Sequence, residues 1–265
     1  MPCLQRLAVD ICTEDVGLVT GQNFIRILSS SVIEIHLFII YYFTKSHIEV
    51  NTLLSTWPTH IQITCLLNEL NEYAVIHTIP CDLSLVMIPA KIANCMLAVT
   101  FQSTQSIVLH LPQLKRLHVK GICEIFHLVQ AAPNLECLRI NFNCLNVVLE
   151  DKSTCELLQK RIVDLEINRF QEIDSIQLDV IARKFNHLRD FSLSLESPTV
   201  FVDSLILKVL SLWKDKNLRG LYIRGLLTDE MNKNLRQWFI NQSHLRQEDA
   251  FVVEYRTNWI SMWLQ

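Results

Sequence analysis

The chain has 265 residues, half of them apolar, enough to bury a large core either in one elongated unit or in two ordinary domains. Its 24 basic and 27 acidic residues leave a formal charge of −3, so no overall positive field draws it to phosphate, and neither nucleic acid nor a membrane is an expected partner. Nine cysteines, an odd number with no Cys-x-x-Cys pair, fit neither a complete disulfide framework nor a common zinc module and read as free thiols of a reducing compartment.

Residues 1–10 lack the basic stretch, apolar run and small-residue cleavage site of a secretory signal, which points to a cytoplasmic or nuclear protein. Within them Leu4, Leu7 and Val9 set out a pattern, L-x-x-L-x-L with any aliphatic residue or Phe at the key positions, that returns further on. Residues 24–43 are the most apolar stretch and nearly as long as a membrane span. Arg26, Glu34, His36 and three consecutive serines would have to enter hydrocarbon, so a helix followed by a strand is predicted there. Val32, Ile35 and Leu37 keep a loose form of the triad, with Ile35 28 residues after Leu7. Residues 30–43, 59–67, 82–88 and 106–111 run or alternate as strands, separated by Trp57-Pro58, Ile79-Pro80 and Ile88-Pro89.

From residue 113 the triad becomes regular. Its copies are Leu114/Leu117/Val119, Leu135/Leu138/Ile140, Ile162/Leu165/Ile167, Leu188/Phe191/Leu193 and Leu218/Leu221/Ile223, and the middle residues recur every 21 to 30 positions. Residues 135–145 carry the fullest form, with Asn143 placed to hydrogen-bond the backbone of the turn leaving the strand. Gly121 and Gly225 each fall two residues after the last inward position, where a turn with positive φ would suit glycine. Residues 122–130, 174–185 and 203–213 have helical spacing, and 154–160 offers a short turn. Thr228 is placed to cap a last helix with Asp229 and Glu230 in its first turn and Leu235, Trp238 and Phe239 on one face. Residues 251–255 then read as a strand, and Trp259 and Trp263 as part of an aromatic cap over the last repeat.

The triads and their spacing resemble those of the leucine-rich-repeat superfamily. That resemblance implies a single α/β solenoid over 1–265, a curved parallel sheet on one face and helices on the other. Irregular repeats would fill 1–105, regular repeats 106–225 and a C-terminal cap 226–265. Over 115–265 the chain is similar, more narrowly, to proteins of the F-box and leucine-rich-repeat type. The likeness is carried by Ala132-Pro-Asn-Leu135, Leu157-Leu-Gln-Lys-Arg-Ile162, Leu210-Ser-Leu-Trp-Lys214, Asn234-Leu-Arg-Gln-Trp238 and Glu254-Tyr255 with Asn258-Trp259. Such proteins hold a captured substrate on their repeats while an N-terminal F-box recruits the adaptor of a cullin-type ubiquitin ligase. Here a repeat opens at Leu4 with no Leu-Pro-x-Glu helix start before it. The implied function is therefore that of the substrate-recognition part, a non-enzymatic module for a protein target, with the cullin-ligase adaptor a partner only if an F-box is supplied.

Signatures of chemistry are sparse beside this. Five isolated glycines build no phosphate-cradling loop, dinucleotide fingerprint or nucleophile elbow, so no cofactor is expected. His77-x-x-x-Cys81 is an isolated His/Cys spacing that reads as packing rather than a metal site. Asp164 and Glu166 share one face of one strand, an arrangement open to acid/base work but ordinary for a solvated strand face. The outward alternates are Arg116, His118 and Lys120; Cys137, Arg139 and Asn141; Asp164, Glu166 and Asn168; Asp190, Ser192 and Ser194; and Gly220, Tyr222 and Arg224. Stacked, they make a polar ladder, basic at one end and acidic in the middle. Arg116, His118, Lys120, Arg139, Asp164, Glu166, Tyr222 and Arg224 are the expected contacts, and Arg139 and Glu166 hold equivalent places from which they can pair. No catalytic or metal-binding residue is expected. The alternatives are an enzyme with its site in 40–110, where the pattern is weakest, and a decayed paralogue with no selected partner.

Overall fold

Residues 6–27, 34–42, 50–68, 73–79, 81, 83–88, 111–120, 125–170, 175–197, 199–214 and 216–264 are described by the computed structural model. Leu4 and Gly121, the expected strand over 106–110, and residues 43–49, 69–72 and 89–110 of the 40–110 region lie outside them. The fold is mixed α/β, and the chain divides into two units, Met1–Leu135 and Glu136–Gln265.

In the first unit, strands β1 (Arg6–Thr13), β2 (Glu34–Tyr42), β3 (Ile63–Asn68) and β4 (Tyr73–Thr78) form a sheet in the order β1-β2-β4-β3. β1 and β2 are parallel, with Leu7 opposite Ile35 and Val9 opposite Leu37, so the last two positions of the loose triad fall into register, while Val32 lies outside the described residues. β2 carries the unbroken apolar run Leu37-Phe38-Ile39-Ile40 because it is buried on both faces, as an inner strand requires. Leu37, Ile39 and Tyr41 enter a core with Phe24 of helix α1 (Gly21–Ile27), Leu53 of helix α2 (Val50–Ser55) and Trp57. Gly21 permits the closest approach, since a Cβ there would lie 2.5 Å from the Trp57 Cα, and the Trp57 indole donates to the Val19 carbonyl at 3.2 Å. The predicted helix-then-strand over 24–43 is present in these elements. Among the described residues no helix is long and apolar enough to cross a membrane.

β3 and β4 pair antiparallel with each other and β4 antiparallel with β2, which departs from the expected parallel stacking. For β3 and β4 the chain length explains it, because the four residues between Asn68 and Tyr73 are too few for the crossover that a parallel pair needs. A short parallel pair, β5 (Leu85–Ile88) with β6 (Arg116–Val119), and helix α3 (Phe126–Ala131) follow in the same unit.

The second unit alternates as the triads imply: β7 (Cys137–Asn141), α4 (Phe142–Glu150), α5 (Lys152–Arg161), β8 (Asp164–Phe170), α6 (Ser175–Lys184), β9 (Asp190–Leu195), α7 (Asp203–Leu212) and β10 (Gly220–Arg224). β7, β8, β9 and β10 are parallel and in register. Leu138, Leu165, Phe191 and Leu221 make one inward row and Ile140, Ile167, Leu193 and Ile223 a second, none more than 1% exposed. Each such side chain contributes about 1.5–3 kcal/mol by leaving water. Apolar helix positions such as Leu145, Val148, Leu178, Ile181, Ile206 and Val209 are buried as well, and the Trp213 ring stacks on Phe191 with centroids 4.9 Å apart.

Three local expectations are corrected. Helix α4 begins directly after β7, so Asn143 sits exposed in its first turn instead of bracing a strand exit. The short turn expected over 154–160 is the full helix α5, capped by the Asp151 carboxylate, which accepts from the Ser153 and Thr154 amides at 3.2 and 3.0 Å. Gly225 does not adopt positive φ; a Cβ there would lie 2.2 Å from Val202 Cγ1, so close packing is what demands glycine. Among these parallel repeats positive φ occurs instead at Arg169, at the register shift between Asn168 and Phe170.

After β10, Thr228 caps helix α8 (Asp229–Lys233) by accepting from the Met231 amide at 3.4 Å, and helix α9 (Leu235–Gln242) follows. β11 (Phe251–Arg256) and β12 (Trp259–Leu264) form a hairpin through Thr257 and Asn258, both at positive φ as a two-residue primed turn requires. β12 lies antiparallel on β10, giving the order β11-β12-β10-β9-β8-β7 within this unit. At the edge strand the Arg236 guanidinium donates to the carbonyls of Phe251, Gln247 and Asp249 at 2.5, 3.3 and 3.2 Å and lies 4.2 Å from the Phe251 ring centroid. Ile260 and Met262 fill the core of this ending. The two tryptophans expected in that role alternate to the opposite face.

Candidate functional site

The face opposite the buried rows is ordered by the same register. Across the second unit it reads Cys137, Asp164, Asp190, Gly220, Trp263, Val252 in one row and Arg139, Glu166, Ser192, Tyr222, Ser261, Glu254 in the next. The third row is Asn141, Asn168, Ser194, Arg224, Trp259, Arg256. Strands about 4.8 Å apart hold these side chains at fixed spacing over a close-packed layer.

Charge is unevenly balanced along the first two rows. Arg139 Nε meets Glu166 Oε1 at 2.9 Å, the pairing expected from their equivalent positions, and a pair this exposed contributes up to about 1 kcal/mol. Burial nevertheless pushes the Glu166 carboxyl above its ordinary pKa; Arg139 opposes that shift and Asp164 adds to it. Asp164 and Asp190 stand directly opposite each other on neighbouring strands, where like charges repel. Asp190 is likewise pushed up, first by burial and then by Asp164, against a weaker pull from Arg189 and Arg219. Among the described residues no cationic side chain lies within ion-pair distance of either aspartate.

Gly220 shapes the space beside them. A Cβ there would lie 2.1 Å from Asp190 Oδ1 and 3.0 Å from Tyr222 Cε2, so the carboxylate leans across the bare backbone of β10 toward the tyrosine ring. Tyr222 in turn meets Trp263 edge to face, centroids 6.1 Å apart at 87°. Trp263 is 40% exposed and its neighbour Val252 54%, large apolar surface beside the charged groups of β8 and β9 on the same face.

No protein-family model, curated protein or solved structure matches this chain.

Of the residues singled out in the sequence, Arg139, Asp164, Glu166, Tyr222 and Arg224 share this one face. Arg116 and His118 lie on β6 of the first unit, opposite Leu85 and Met87 of β5, and Lys120 follows one residue past that strand. Lys120 acts electrostatically on Cys12, whose thiol is pushed up to about 11 by burial and by Asp10 while Lys120 pulls it down. Sequence reasoning missed Trp259 and Trp263 as face residues. The signal was present in Trp259-Ile-Ser-Met-Trp263, whose alternation puts both rings on one side and Ile260 and Met262 on the other.

His77 and Cys81 are both buried but turn to separate partners. The imidazole Nδ1 lies 3.0 Å from the Thr78 carbonyl and the ring stacks on Phe38, while the Cys81 thiol donates to the Leu37 carbonyl at 3.4 Å. Burial lowers the His77 pKa below its ordinary value. Among the described residues no three His, Cys, Asp or Glu side chains converge as metal ligands.

Proposed function

We propose that this protein is a non-enzymatic interaction module, a leucine-rich-repeat-type α/β solenoid that holds a protein target on the outward face of β7–β12. The supporting observation is the register of β7 to β10, which aligns polar and aromatic side chains in rows over strands whose inward residues are fully buried. A surface fixed in this way loses little side-chain and loop entropy on association, which favours specific recognition. The resemblance of 115–265 to F-box and leucine-rich-repeat proteins extends the reading to the target-recognition part of a ubiquitin-ligase receptor acting in the cytoplasm or nucleus. In that role a cullin-ligase adaptor is engaged through an F-box.

The test is affinity capture from native lysate followed by cross-linking, comparing the protein with a Tyr222→Ala/Arg224→Glu variant whose circular dichroism and melting temperature match it. Cross-links from a captured protein to the β7–β12 face, lost in the variant, are expected. Capture and cross-links unchanged by the substitutions would overturn this face. A version carrying an N-terminal F-box is expected to add the ligase adaptor to the captured set.

A further inference from the structure

The face of the second unit opposite its buried rows is built from two dissimilar halves that meet at one place. On one side Asp164 and Asp190 oppose each other across neighbouring parallel strands with no ion pair among the described residues, Arg139 being engaged by Glu166. On the other side stand the Tyr222 and Trp263 rings, in edge-to-face contact and partly exposed. Gly220, lacking a side chain, leaves the gap through which the Asp190 carboxylate reaches the aromatic side.

We propose that this junction receives an arginine or lysine side chain of a basic, extended peptide segment in the partner, which narrows the binding function proposed above and rests on it. The chemistry is complementary in each part. Two like-charged carboxylates held side by side are stabilised by one cation placed between them, and a guanidinium offers enough donors in a planar fork to bond both at once. The exposed indole supplies a π face against which the same cation can lie. Arg189 and Arg219 attract Asp190 only from beyond ion-pair distance, so they do not occupy the place. A divalent cation or an acidic peptide would leave the aromatic half without a role.

The test uses the full chain and a fluorescein-labelled nona-arginine peptide, read by anisotropy, with nona-citrulline as the uncharged isostere and nona-glutamate as the charge-reversed control. Nona-arginine is expected to bind and the other two not. Asp164→Asn/Asp190→Asn is expected to weaken it about 10-fold, and Trp263→Ala severalfold. Glu150→Gln/Glu156→Gln, which changes net charge by the same amount on the helical side, is expected to leave affinity within about twofold. Equal loss in the two double variants, equal binding of arginine and citrulline peptides, or no binding of nona-arginine overturns the proposal. Capture of a lysate partner that depends on Tyr222 and Arg224 but is indifferent to Asp164→Asn/Asp190→Asn overturns the cation site while leaving the face. Indifference to both sets of substitutions removes the face itself.

Discussion

Gly225 and Asp190 illustrate how single positions in the second unit are set by their neighbours rather than by their own preferences. At Gly225 the nearest obstacle to a side chain is Val202 Cγ1, with the Val200 carbonyl 3.0 Å from the same point, so Gly225→Ala should cost about 1–3 kcal/mol by overpacking. Urea denaturation measures this, and Val202→Ala in the same chain should restore part of the loss; no restoration would count against the steric account. Asp190 has a folded pKa above its ordinary value, so the fold prefers the protonated acid. Stability from that preference is present below the unfolded pKa and is lost as pH rises through the folded one. Asp190→Asn should therefore melt higher than the parent at neutral pH, with the gap closing in acid; a lower melting temperature at pH 7 would contradict the combined penalty that burial and Asp164 place on the Asp190 carboxylate.

Among the elements, helix α5 depends on a cap that the sequence displayed only in part. Asp151 bonds the Ser153 and Thr154 amides and the Thr154 hydroxyl, and the hydroxyl contact is the main cause of its lowered pKa. Asp151→Ala should destabilise the protein by about 0.5–2 kcal/mol, read from chemical denaturation, whereas Asp151→Asn should lose much less. The parallel strands β7 to β10 were legible because apolar residues two apart can share only one face of a strand, and each copy of the triad repeats that spacing. What the triad does not encode is how the chain leaves the strand. Asn143 matched a turn position, yet Phe142, Cys144, Leu145 and Val148 also have helical spacing, and their burial made the segment α4. The Arg139–Glu166 pair and the polar rows followed from alternation once the strands were placed. The contribution of Trp263 depended on β12 running antiparallel beside β10, a long-range pairing that no local pattern specifies.

For the molecule as a whole, each unit is organised around one large ring. In the first, Trp57 joins α1, α2 and the sheet through Phe24, 5.4 Å away, and through its bond to Val19. In the second, Trp213 stacks on Phe191 and its indole donates to the Phe185 carbonyl at 3.3 Å. Trp213→Ala should cost about 3–5 kcal/mol and lower hydrogen-exchange protection across β8, β9 and β10. Trp57→Ala should do the same across β1, β2 and β4. Protection lost in β9 alone would show that the parallel strands do not act as one cooperative layer.

The guanidinium of Arg236 bears on solubility. An outermost strand is a template on which another chain can grow, and sheets resist this by blunting that side with charge or by occupying its acceptors. Arg236 does both at Phe251, taking the carbonyl and covering the ring with a cation. Without it the flank of β11, the outermost strand among the described residues, would offer an unsatisfied acceptor beside an uncovered aromatic, and the first consequence would be concentration-dependent self-association of otherwise folded chains.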